Sequence, residues 1–194
     1  MKFYLEITLS PNPEVGQHFL WSKLFQQIHL GLVEMQDEQG RVPIGLSFPE
    51  YITGEKLSLL GGKLRLLAKE EVTLSQFNAS KWLTRLSDYV QCTCILPVPV
   101  TITGYAIYQR EQFKTNKERL ARRYAKRHGV DYDSALKCYS EMTHQTITTP
   151  FIRLKSLSGG NEFCLWIKKT VATEPSGMAF SSYGLSAVST VPEF

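Results

Sequence analysis

Residues 17–36, Q-H-F-L-W-S-K-L-F-Q-Q-I-H-L-G-L-V-E-M-Q, carry a clear helical periodicity. Leu20, Leu24, Ile28 and Leu32 recur every four residues and form one apolar stripe, with Trp21, Phe25 and His29 beside it. Such a helix must bury that stripe against something, and the segments on either side are strand-like. Upstream, K-F-Y-L-E-I-T-L at 2–9 reads as a strand closed by the P-N-P of 11–13. Downstream, Pro43 to Phe48 reads as a second strand and G-K-L-R-L-L-A-K at 62–69 as a third. A second helix is expected near 73–88, with Leu74, Phe77, Trp82, Leu83 and Leu86 as its apolar positions. V-Q-C-T-C-I-L at 90–96 then makes a fourth strand before Pro97 and Pro99. The order β-α-β-β-α-β is the ferredoxin-like arrangement. The expectation is an α+β protein: a ferredoxin-like domain over 1–96, then a smaller α+β domain over 97–194. The fold alone constrains function weakly.

The second half is organised by R-E-Q-F-K-T-N-K-E-R-L-A-R-R-Y-A-K-R-H, Arg110 to His128. Thr115 with Glu118 reads as a capping box and Gly129 as the helix stop. Arg119, Arg122, Arg123, Lys126 and Arg127 fall at i, i+3, i+4, i+7 and i+8 and therefore share one face. Leu120, Ala121, Tyr124 and Ala125 fall on the other side. Like charges on one face repel, so a polyanion is their natural partner. Charge is uneven along the chain as well. Residues 1–100 hold nine Lys+Arg against ten Asp+Glu, and residues 101–194 hold thirteen against eight. Beyond the basic helix, a short helix is expected after Asp131 or Asp133. Residues 151–167 resemble a hairpin with S-G-G-N as its turn, and the tail carries F-S-S-Y-G-L-S at 180–186.

Several chemistries find no support in the sequence. There is no P-loop, H-E-x-x-H, paired CxxC or dinucleotide fingerprint. Cys92, Cys94, Cys138 and Cys164 lack ligand spacing and read as buried free thiols. No metal or cofactor is expected. No apolar run suits a bilayer span and no signal-peptide pattern opens the chain, so a cytoplasmic protein is the default reading. Metal-free acid–base chemistry remains, and histidine is its usual agent near neutral pH. By pattern alone His29 reads as a core-edge residue, and Ser156, Ser158 and Tyr183 as ordinary structural ones.

Ordered motifs change that reading. They are Y-L-x-I-x-L with P-x-P-E (Tyr4 to Glu14), L-F-x-x-I-H ending at His29, and I-G-L-S-F-P (Ile44 to Pro49). They continue with R-x-Q (Arg110, Gln112), N-x-E-R-L-x-R-R-x-x-K-R-H (Asn116 to His128), P-F-I-R-L-K-S-x-S-x-G (Pro150 to Gly160) and Y-G-L-S (Tyr183 to Ser186). In this order the chain resembles the CRISPR-associated endoribonucleases of type I-F systems over nearly its whole length. The resemblance implies a metal-independent enzyme that cuts a CRISPR repeat transcript at the 3′ base of a hairpin. The 2′-OH attacks, leaving a 2′,3′-cyclic phosphate. His29 corresponds to the catalytic histidine, as base or acid, Ser156 to the serine holding the 2′-OH, and Tyr183 to the tyrosine orienting the histidine. Arg110 and Gln112 correspond to purine readers near the stem base, in keeping with the bidentate matches of Arg to guanine and Gln to adenine. Phe163 corresponds to an aromatic stacked on the end of the duplex. The RNA-binding set implied is Arg110, Gln112, Lys114, Arg119, Arg122, Arg123, Lys126, Arg127, His128, Ser158 and Phe163. Lys126 stands where an arginine would supply a bidentate fork, and Leu157 where a polar side chain would reach RNA. The partners implied are the repeat hairpin and other subunits of a surveillance complex. The alternative reading is a non-catalytic hairpin-binding subunit; a DNA-binding helix protein ranks below both.

Overall fold

The computed structural model describes residues 1–54, 58–113, 116–140, 147–156 and 159–194. Lys114, Thr115, His144, Leu157 and Ser158 lie outside the described residues. By compactness the chain divides into one unit of Met1–Glu111 with Thr148–Phe194 and a second of Gln112–Ile147.

In the first unit, β1 (Phe3–Leu9) alternates faces, burying Leu5, Ile7 and Leu9. Helix α1 (Gln17–Glu34) buries the expected stripe of Leu20, Leu24, Ile28 and Leu32, together with Trp21 and Phe25. β2 (Ile44–Ser47) follows, then a short hairpin of β3 (Ile52–Thr53) and β4 (Ser58–Leu59), then β5 (Lys63–Ala68). Helices α2 (Glu71–Phe77) and α3 (Ala79–Leu83) precede β6 (Val90–Cys92) and β7 (Leu96–Pro97). The sheet order is β2-β5-β1-β6, all antiparallel, with β7 also on β1. Leaving out the β3–β4 hairpin, this is the ferredoxin-like order with β1 at the centre.

The single helix expected near 73–88 is two. Asn78 adopts φ 48°, and its N–H bonds the Leu74 carbonyl, ending α2 and re-aiming α3. Asparagine tolerates this left-handed region better than most residues. Phe77 and Leu83 can then both be buried. The fourth strand is also shorter than expected, and the cysteine reading needs correction. All four thiols are free, but Cys92, Cys94 and Cys138 are exposed and Cys164 is half-buried.

The remainder of this unit builds a second sheet from β8 (Gly104–Glu111), β9 (Phe151–Lys155), β10 (Glu162–Ala172) and β11 (Val191–Glu193), in the order β11-β8-β10-β9. β11 escapes the sequence reading because V-P-E has little strand character; proline is tolerated there on an edge strand. The two sheets do not have separate cores. Ala106, Tyr108, Ile152, Leu154, Leu165 and Ile167 join Leu5, Ile28, Leu46 and Leu66 in one buried cluster. The expected division at 96/97 therefore marks a change of sheet and not a boundary between cores.

The second unit holds α4 (Lys117–His128) and α5 (Tyr132–Lys137). The cap of α4 is Asn116, whose side chain accepts the Arg119 N–H at 2.7 Å, in place of the expected Thr115. Gly129 ends the helix at φ 65°. Among the described residues no helix is long and apolar enough to cross a membrane.

Candidate active site

His29 lies on the fourth turn of α1, half-buried beside the stripe that holds the helix on the sheet. Its Nδ1 is 2.8 Å from the Ser182 carbonyl oxygen. A carbonyl can only accept, so Nδ1 carries the hydrogen and, in the neutral ring, Nε2 carries the lone pair. The Tyr183 ring lies parallel to the imidazole, 4.3 Å between centroids and 4° between planes. One contact thus fixes the tautomer and the other fixes the ring plane.

The loop providing both contacts is held at several points. The Leu46 N–H bonds the Gly184 carbonyl at 2.9 Å, and the Ser186 N–H bonds the Tyr108 carbonyl at 2.9 Å. Gly184 has φ +66°, and a methyl added there would overlap the Leu46 side chain. The Y-G-L-S motif needs its glycine because the backbone turns left-handed directly against β2.

Ser156 follows β9. Phe151, the first residue of β9, stacks on His18 at the start of α1, with centroids 6.3 Å apart at 23°. The helix lies along the strand. From His18 to His29 the helix rises about 16 Å. From Phe151 to Ser156 the strand advances about the same distance, ~16 Å. The two elements are in contact at His18 and Phe151, and Ser156 follows the far end of β9. Ser156 opens the turn into β10. Its N–H bonds the Asn161 carbonyl at 2.8 Å, its carbonyl accepts the Gly160 N–H at 2.8 Å, and its Oγ accepts the Gly159 N–H at 3.3 Å.

Arg110, on β8, is exposed, and its guanidinium lies 5.6 Å from the centroids of both Phe163 and Tyr183. His29, Tyr183, Arg110 and Phe163 therefore form a continuous stacked array, which orients the Arg110 fork. Gln112 follows β8 and is exposed. Among the described residues no group of three or more His, Cys, Asp and Glu is gathered in a way that would hold a metal.

Two residues before Arg110 on β8, Tyr108 donates from its hydroxyl to Glu193 Oε1 at 2.7 Å, and Lys169 pairs with the same carboxylate. Burial, reinforced by the Glu193 charge, pushes the Tyr108 phenol far above its ordinary range. It remains a neutral donor and ties β8 to β11.

In the second unit the expected cationic face is present. Arg119, Arg122, Arg123, Lys126 and Arg127 are exposed, Ala121 is buried, and Leu120, Tyr124 and Ala125 are half-buried. Glu118 approaches Arg122 only at 3.9 Å. His128 is exposed, its ring 4.3 Å from that of Tyr124.

The sequence reading did not find the Ser182 carbonyl, because a backbone acceptor is indifferent to its side chain. It also gave Arg110 no aromatic neighbours, since that contact depends on the register that sets Arg110 against Ile167.

A protein of Escherichia coli (strain UTI89 / UPEC) named CRISPR-associated endonuclease Cas6/Csy4 is 36% identical over 197 residues, covering 100% of both chains. One of the same name from Pseudomonas aeruginosa (strain UCBPP-PA14) is 37% identical over 199 residues, again with 100% coverage of both. A solved structure named CRISPR associated protein Cas6 aligns with a TM-score of 0.34 at 13% identity over 100% of this chain and 99% of that one, too remote to bear on the site. The family model described as CRISPR-associated protein (Cas_Csy4) matches residues 4–194, and the chain belongs to that family.

Proposed function

We propose that the protein is an endoribonuclease that cuts CRISPR repeat transcripts at the 3′ base of a hairpin, without a metal ion, and keeps the hairpin afterwards. Both full-length relatives are named endonucleases. The observation that carries the mechanism is His29, with Nδ1 bonded to the Ser182 carbonyl and its ring stacked on Tyr183. This leaves Nε2 as the nitrogen for proton transfer. Ser156 holds the 2′-OH of the nucleotide before the cut. The 2′-oxygen loses its proton and attacks the adjacent phosphorus, and the bond from phosphorus to the 5′-oxygen breaks. The products are a 2′,3′-cyclic phosphate and a 5′-OH. His29 either takes the 2′ proton or supplies the one the 5′-oxygen needs. Fixed orientation of the attacking group and a positioned proton carrier are both effective sources of rate.

Arg110 and Phe163 serve the stem base, by purine reading and end-stacking. The five exposed cations of α4 support tight, salt-sensitive hold on the phosphate backbone. That hold favours retention of the hairpin and a place among the other subunits of a guide-RNA complex.

The test uses a CRISPR repeat hairpin, incubated in EDTA with product ends mapped. Cutting should persist, leave a cyclic phosphate, and vanish when the ribose before the cut is 2′-deoxy. Cutting of the 2′-deoxy substrate, or loss of cutting in EDTA that added metal restores, would overturn the reading. A 5′-thio leaving group, which needs no proton, separates the two roles of His29. It should rescue His29→Ala if the histidine is the acid and leave it slow if it is the base.

A further inference from the structure

A groove of about 690 Å³ lies between the first half of α1 and the β9–β10 hairpin. It is built from residues to which the cleavage mechanism gives no role. Phe19 projects from α1, 56% exposed, and Lys23 lies over its ring at 5.1 Å. Across the groove stand Arg153 and Lys155, with Glu162 beside Lys155 in the β9–β10 register. Three cations thus face one carboxylate. A cation-lined channel with an aromatic platform is what single-stranded nucleic acid uses.

The location narrows the occupant. Gln26, at one end of the groove, is a single helical turn from His29, and Lys155 is adjacent in sequence to Ser156. On the endoribonuclease reading, a chain leaving the scissile phosphate on its 3′ side can enter this channel. Arg110 and Phe163, assigned to the stem, lie against Tyr183 and are not among the groove's lining residues.

We propose that this groove binds the first single-stranded nucleotides 3′ of the cut, with a base stacked on Phe19 and phosphates on Lys23, Arg153 and Lys155. The proposal rests on the endoribonuclease reading for the direction of the strand. On binding, a base replaces Lys23 on the Phe19 ring, and the ammonium turns to a phosphate. The groove then adds affinity for uncut transcript but none for the retained hairpin, whose 3′ end is at the cut. Cleavage therefore releases the downstream fragment while the stem stays bound.

The experiment compares two 2′-deoxy-blocked repeat hairpins, one ending at the cut and one carrying several nucleotides beyond it. The extension should tighten binding about five- to tenfold, as one base stack with phosphate contacts provides. It should also steepen the salt dependence, by about 0.7 in log–log slope for each added phosphate contact. Phe19→Ala with Lys23→Ala, and separately Arg153→Ala, should abolish most of the gain and leave binding of the short hairpin unchanged. A parent protein indifferent to the extension overturns the proposal and leaves the groove to a protein partner. A gain that survives both variants also overturns it, by placing the strand elsewhere. Because the probes are blocked, the outcome does not depend on catalysis. If ribose hairpins are not cut yet the gain appears and is lost in the variants, the function reading fails and the groove stands as a single-strand site.

Discussion

The basic face of α4 and the surroundings of His29 are built on opposite principles. On α4, five cations share a face because their spacing matches the helix, and a local cap, Asn116, is enough to start it. At His29 the decisive partners, Ser182 and Tyr183, come from 153 and 154 positions away in the chain. The helix needs charge and tolerates imprecision; the imidazole needs one tautomer and one plane. Affinity can therefore be written locally in a sequence, whereas proton transfer needs a fold to hold it.

If that contrast is right, His29→Ala should show the largest effect: a loss of about 10²–10⁴ in cleavage rate in a single-turnover assay with hairpin affinity little changed, as for other positioned acid–base groups. Equal loss of binding and stability would instead make His29 a packing residue. The converse change, Arg119→Ala with Arg122→Ala and Arg123→Ala, should leave the saturated cleavage rate alone and flatten the log–log salt dependence of binding by about 2 to 3. An unchanged slope would remove α4 from the RNA interface.

Three smaller effects sharpen the contrast. Gly184→Ala forces a side chain into a left-handed position against Leu46, and should lower unfolding free energy by about 1–3 kcal/mol and slow cleavage together. Rate loss without destabilisation would mean that the loop adjusts. For Tyr108 the folded phenol titrates above the unfolded one, so its contribution is complete below the unfolded value of about 10 and is lost as pH rises beyond it. Stability in denaturant titrations should fall by up to about 1.4 kcal/mol per pH unit above that point, and Tyr108→Phe should remove this slope. Asn116→Ala should cost about 1 kcal/mol, seen as fraying of α4 in amide exchange, with cleavage untouched. If it slowed cleavage at saturating RNA, the local character assigned to α4 would be wrong.

The same contrast explains what could be read from the sequence. Apolar spacing was enough for α1, and charge spacing was enough for α4. The order of strands and helices over 2–96 anticipated the first sheet. Motif likeness pointed to His29, Tyr183 and Arg110, and the structure brings these three into one stacked array. Where a feature depends on one residue's backbone, pattern had no purchase. Asn78 split a helix that periodicity joined, and the pairing of β11 with β8 overcame the proline in V-P-E. The shared core across 96/97 was hidden because Leu154 and Ile167 look like any alternating strand residues until they meet Ile28. The groove beside α1 was hidden because Phe19 and Lys23 fall on a face that periodicity assigns to solvent.

The long span between His29 and the Ser182 carbonyl also orders events at the ribosome. At about 5–20 residues per second, the loop that sets the histidine emerges roughly 8–30 s after the histidine itself. Helix α4 is complete well before that loop. On the proposed reading, a nascent chain that stalls after Ile147 carries its cationic helix but has no means of orienting His29.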